Sequence, residues 1–191
     1  MSLASSFGRD RPLWLTGLVS ACLLVYMNVH DAVQFASLTN GRDFPGSDLS
    51  ATPESILALR DLLIARPDAA AVMHTLHLYP DMVLPAALTA FLVLLIRRLS
   101  AGALIYRRRA ETLLPILLTI PLLYGVFDYT ENTLCFLLFP PASPAPENLQ
   151  QLAQGLYWAT RLKFLFVTIS FLLAARLALA HTRFGHYGEK D

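Results

Sequence analysis

Residues 113–139 read LLPILLTIPLLYGVFDYTENTLCFLLF, an apolar run broken by one polar group, Asp128-Tyr129-Thr130-Glu131-Asn132. A membrane-spanning helix needs roughly 20 mostly apolar residues, and this run exceeds that. Backbone N–H and C=O groups in hydrocarbon must be paired internally, so the run is predicted to be a helix. Asp128, Glu131 and Asn132 are spaced i, i+3 and i+4 and share one helical face. Tyr124 and Gly125 continue that face one turn inward, and Cys135 continues it outward. Counted from Leu113 at about 1.5 Å per residue, Asp128 lies roughly 22 Å from the start of the span. The acid is therefore expected inside the membrane and not at its rim.

Three further stretches match this one. Spans are predicted over residues 13–31, 81–97, 113–139 and 160–180, all within a single membrane domain. The second holds fifteen uncharged residues before Arg97-Arg98, and it reaches length by starting at Asp81 and letting the arginines snorkel. Val19-Ser20-Ala21-Cys22 resembles a lipoprotein processing box, but the apolar run continues past it through Met27. A retained helix is therefore expected rather than a cleaved signal. The fold class that follows is all-α, a four-transmembrane-helix bundle.

Composition agrees. The chain has 191 residues, 55% apolar and 15% charged, where soluble domains average about 45–50% and about 25%. Its mean hydropathy is +0.49. The net charge of +1 points to no nucleic-acid partner, and disorder is excluded by the apolar content. Cys22 and Cys135 both lie in apolar runs and support neither a disulfide framework nor a four-ligand zinc site. His74-x-x-His77 offers two ligands with nothing to complete a set, so neither metal nor cofactor is expected.

Orientation follows from arginine. Arg97, Arg98, Arg107, Arg108 and Arg109 crowd the connection between spans two and three, and Arg9 and Arg11 precede span one. The positive-inside rule places both termini and this connection in the cytoplasm of a bacterial inner membrane. Residues 32–80 and the Pro140–Asn148 connection then face outward. Within the first outward loop, Thr52-Pro53-Glu54 is an N-cap followed by an N1 proline and an early acid. Ile56, Leu59, Leu62 and Leu63 recur at helical spacing behind it. Arg66-Pro67-Asp68 starts a second segment that runs to Tyr79. Two short amphipathic helices are expected over the outer mouth, reached by a Thr39–Ser50 linker with Gly41, Pro45 and Gly46.

The remaining charges gather on that side. Span one ends with Asn28, His30 and Asp31; span two opens with Asp81, where helix capping is the simpler role; span four begins with Arg161 and Lys163. Ionisable groups within spans are costly and call for a reason. The expectation is a polar cluster centred on Asp128 and Glu131, with Lys163 and Arg161 as counter-charges. Two carboxyls a turn apart in an apolar setting resist joint ionisation, so one serves as general acid and the other as base. No Ser-His-Asp set, phosphate loop or Cys-x-x-Cys is present to suggest hydrolysis, nucleotide chemistry or thiol redox.

The run Leu78-Tyr79-Pro80-Asp81-Met82-Val83-Leu84-Pro85, the Asp128-x-x-Glu131-Asn132 signature and Leu162-Lys163-Phe164 resemble small four-helix bacterial membrane proteins of uncharacterised function. More faintly, Asp31 after span one, the helical outward loop, and Asp81 ahead of Pro85 resemble the EXPERA group, which includes the emopamil-binding sterol isomerases. That resemblance implies a pocket inside the bundle for sterols or cationic amphiphiles. The functional expectation is an acidic pocket, open to membrane lipids, that binds a sterol-like or isoprenoid lipophile and isomerises or cyclises it by acid–base chemistry. Asp128 and Glu131 are the candidate acid–base pair. Asn132, Lys163, Asp31, Tyr124, Asp81 and Arg161 are the candidate binding residues. Two alternatives stand beside it: a non-catalytic accessory or assembly subunit of a membrane complex, and a small proton-coupled carrier acting as a homo-oligomer.

Overall fold

In the computed structural model, which describes residues 3–105 and 108–184, the apolar runs are helices. The first, α1 (Leu3–Tyr26), passes through a π-turn at Met27–Asp31 into α2 (Ala32–Leu38). Then come α3 (Pro53–Ala65), α4 (Pro67–Leu78), α5 (Pro80–Ser100), α6 (Ala110–Leu138) and α7 (Pro146–Phe184). A two-residue antiparallel pair, Leu104–Ile105 with Arg108–Arg109, closes the connection between α5 and α6. Asp10–Leu38, Pro67–Ser100, Ala110–Leu138 and Pro146–Ala180 are long and apolar enough to cross a membrane. Only 11 to 28% of their most apolar windows is buried inside the protein. Trp14, Val29, Ile116, Val126 and Leu172 all point outward. A soluble bundle does the reverse, so these faces meet lipid and the chain is a multi-pass membrane protein.

Helix α6 packs against both α5 and α7, and α1 lies along α5. At Gly125 a Cβ would stand 2.6 Å from Thr89 Oγ1, so the missing side chain is what lets α5 and α6 close. Three apolar clusters stack along the bundle. An outer one gathers Phe35, Phe44, Ile56, Leu63, Met73 and Leu156. A middle one holds Leu84, Leu88, Leu92 and Tyr124. The third, around Ile96, Ala110 and Leu177, fills the end that carries the arginine connection. There Arg98 pairs with Asp10, bringing the start of α1 level with the end of α5.

The two outer helices form where their start signals stand. Thr52 caps α3 in a reciprocal box with Ser55, and Pro53 takes the first helical position. Ile56, Leu59 and Leu63 are the buried face. Boundaries differ from expectation at several places, beginning with the second long apolar stretch, which runs from Pro67 rather than Asp81. The first span does not end at Asp31, because the π-turn carries the backbone through Asn28, His30 and Asp31 without a break; Asn28 satisfies its amide on Leu24 O, 2.8 Å away. The connection expected over residues 32–80 is correspondingly shorter. The fourth long helix starts at Pro146 rather than near Thr160, with proline at its head and Glu147 in the first turn, both favourable there. Its early turns rise above the bundle and pack on α3.

Candidate functional site

The polar layer lies between the outer and middle apolar clusters, and proline chemistry organises its floor. Pro85 has no N–H to donate to the carbonyl of Asp81, four residues earlier. The Asn132 side chain takes that vacancy, with Nδ2 donating to Asp81 O at 2.7 Å. The neighbouring carbonyl, Met82 O, accepts from Tyr129 Oη at 3.0 Å. Helix α6 is thereby stapled to the proline-loosened first turns of α5, and Asp81 is carried into the bundle. Its side chain caps nothing; the expected capping role is overturned because Tyr79 occupies the cap position and Asp81 is buried within the first turn.

Asp128, Glu131 and Asn132 are each 1–2% exposed, so the shared face inferred from their spacing is an interior face. Lys163 from α7 donates to Asp128 Oδ1 at 3.1 Å and to Glu131 Oε1 at 2.7 Å. Tyr124 donates to the other Asp128 oxygen at 2.6 Å. Both oxygens of Asp128 are thus engaged. Among the described residues, Glu131 Oε2 has no partner within hydrogen-bond geometry, and neither does the Thr160 hydroxyl that lies against this carboxyl. Asn132 Oδ1 is likewise unpartnered.

A cavity of about 90 Å³ opens beside this group. Asp81, Glu131, Lys163 and His77 supply its polar wall; Met27, Asn28 and Ala32 of the π-turn region form one side, and Phe44, Gly46 and Ser47 roof it. His77 donates through Nδ1 to Met73 O at 2.8 Å. In the neutral ring that leaves Nε2 as an acceptor, 3.9 Å from Asp81 Oδ2 and beyond hydrogen-bond reach. The wall therefore offers more acceptors than donors. Asn28 sits on the exposed side of its helix, so the cavity reaches the flank of the bundle.

Asp31 and Arg161 are placed elsewhere. Asp31 pairs with its neighbour His30 at 2.8 Å and does not line the cavity. Arg161 is not a counter-charge to the acids. Its guanidinium lies over the Tyr157 ring and donates to Leu49 O at 2.9 Å and Ala51 O at 3.2 Å, fastening the outer loop. Being two residues before Lys163, it leaves α7 about 200° around the helix from it. His74 and His77 both turn an edge toward Phe136, so the pair is split between aromatic packing and the cavity wall.

Phe44, Gly46, Ser47 and Met27 were not candidates from sequence. The Pro45-Gly46 dipeptide signals a turn and nothing more, and no local pattern announces that the loop folds back onto Glu131. Comparison with known protein families, curated proteins and solved structures gives no match.

Proposed function

We propose that the acidic layer is a binding site for the hydrogen-bond-donating head, a hydroxyl or an ammonium, of a membrane lipophile. The observation that carries this reading is the imbalance around the cavity. Two carboxyls, Asp128 and Glu131, share one ammonium, Lys163, while a third, Asp81, has only His77 near it at 3.9 Å, and His77 adds a further acceptor. Buried acceptors without donors are costly, and a ligand that donates relieves them. Pockets that enclose a whole drug-sized molecule run to about 300–1,000 Å³. A cavity of about 90 Å³ suits a head group, with sterol rings or an isoprenoid chain lying along the flank beside Asn28. Glu131 and Asp81 face the cavity from two helices and are placed to exchange protons with a bound head. An isomerisation or cyclisation would instead need a carbon–carbon double bond of the lipophile, not its head, against these carboxyls, one protonated to deliver a proton to a carbon and the other ionised to remove one. Asp128, with both oxygens engaged, positions Lys163.

The proposed setting is a bacterial inner membrane with both termini cytoplasmic. Arg97, Arg98 and Arg109 stand at the end where Asp10 meets Arg98, and the cavity lies toward the opposite end. A second reading, an accessory subunit locked by its charges, is favoured by the way Lys163 bridges two acids. The two readings part on binding. In nanodiscs, a photoreactive long-chain primary amine should cross-link to residues 27–32 and 44–47, and Glu131→Gln with Asp81→Asn should reduce this severalfold while the fold persists. Cross-linking that ignores both substitutions, or falls elsewhere on the bundle, would sink the binding proposal and leave the subunit reading.

A further inference from the structure

The roof of the cavity is a segment with its own fastenings. Residues 40–51 begin with two left-handed residues, Asn40 (φ 58°) and Gly41 (φ 82°), which turn the chain back over the bundle. Phe44 stacks on Phe35 at 4.2 Å and anchors the near end. Arg161 anchors the far end through Leu49 O and Ala51 O. Between these anchors lies Gly46. Its φ is not left-handed, so backbone freedom does not explain glycine there. Space does: a Cβ on Gly46 would collide with Glu131 Oε1 and stand 3.6 Å from Lys163 Nζ. The backbone at Gly46 sits directly on the ion pair.

We infer that residues 40–51 form a lid over the acidic layer, sealed by Gly46 against Glu131 and latched by Arg161. The lid governs entry from the outer side; its role in ligand admission rests on the binding reading above, but its opening does not. Phe44 and Arg161 hold opposite ends, and between them the backbone at Gly46 meets Glu131 and Lys163, so opening begins with release of the Arg161 latch. Glycine at 46 is then a requirement of closure: any side chain leaves the seal ajar.

The test is thiol accessibility. Leu76 lines the cavity and is buried. In a background where Cys22 and Cys135 are alanine, Leu76→Cys reports access to a small methanethiosulfonate reagent. Leu92→Cys, in the fully buried middle cluster, reports general loosening. Opening populations set such labelling rates. Gly46→Ala and, separately, Arg161→Gln should each speed labelling of Leu76→Cys roughly tenfold, as expected from losing a charged hydrogen bond or a seal. Leu92→Cys should stay unreactive in both. Unchanged Leu76→Cys labelling in both variants overturns the lid, as does an equal rise at Leu92→Cys. Gly46→Ala removes no side-chain contact, so it keeps the test readable if Arg161→Gln fails to fold. No ligand is involved, so a failure of the binding proposal leaves this result standing.

Discussion

Replacing Lys163 with methionine tests what holds the polar layer together. The ammonium sits 2.7 Å from Glu131 Oε1 and 3.1 Å from Asp128 Oδ1; the Lys163 side chain is 13% exposed and the two carboxyls 1% and 3%. Lys163→Met keeps the length and apolar stem while leaving two buried carboxyls without a cation. Breaking a buried pair by removing one partner costs about 3–5 kcal/mol. For a chain of this size each kcal/mol moves the melting temperature by about 2–4 °C, so a fall of roughly 6–20 °C is expected. The assay is thermal unfolding of the purified protein in one mild detergent, followed by circular dichroism. A second arm separates lost charge balance from lost packing. Adding Glu131→Gln and Asp128→Asn to Lys163→Met removes every member of the triad, and neutral isosteres restore most of the stability. A single variant that melts within about 2 °C of the parent would refute the reasoning, since the carboxyls would then need no partner. A triple variant no better than the single one would refute it equally.

Two more outcomes follow from particular contacts. Asn132→Ala leaves the Asp81 carbonyl buried and unpaired, which should cost about 1–3 kcal/mol. In a Pro85→Ala background the new N–H serves that carbonyl, so the same substitution should cost measurably less; equal costs in a double-mutant cycle of melting curves would show that the proline vacancy is not what Asn132 fills. In the lid, the Ser50 hydroxyl donates to Asp48 and holds its carboxyl below the ordinary value of 3.8. A depressed folded-state value means the contribution is complete above the unfolded value, near 3.8, and is lost as pH falls through the folded one. Protection of the amides across residues 47–51, their exchange rates taken relative to the intrinsic rate at each pH, should therefore fall only as pH drops below about 3.8, and Ser50→Ala should weaken that transition without abolishing it, because the backbone N–H of residue 50 also donates to Asp48; protection independent of pH in the parent would contradict the assignment.

How much of this was legible in the chain can be argued from single residues. The face shared by Asp128, Glu131 and Asn132 was readable because helical periodicity is local: 3.6 residues per turn puts them together whatever else happens. Thr52-Pro53 was readable for the same reason, since a cap needs only its own next few residues. Arg161 was misassigned because an arginine two residues from Lys163 has the same chemistry, and only the azimuth around α7 separates a loop fastener from an ion-pair partner. Asp81 stood among the binding candidates, but capping was taken as its simpler role because a Pro-Asp start looks like a cap on any helix; its burial depends on α4 running almost directly into α5.

The amino-acid sequence alone determined the class of the protein and the helical face its acids share. Hydrocarbon tolerates only helices of sufficient apolar length, and any carboxyl within one is confined to the protein interior. Tertiary structure decided which groups share a compartment. Lys163 reaches Asp128 and Glu131 across 35 and 32 residues, and Asn132 reaches the Asp81 carbonyl across 51. Gly46 meets Glu131 because a loop with no pattern of its own is pinned at Phe44 and Arg161. Spacing along a chain encodes what is a turn away; contacts between distant elements arise from packing, and in this protein packing makes a row of acids into a roofed cavity.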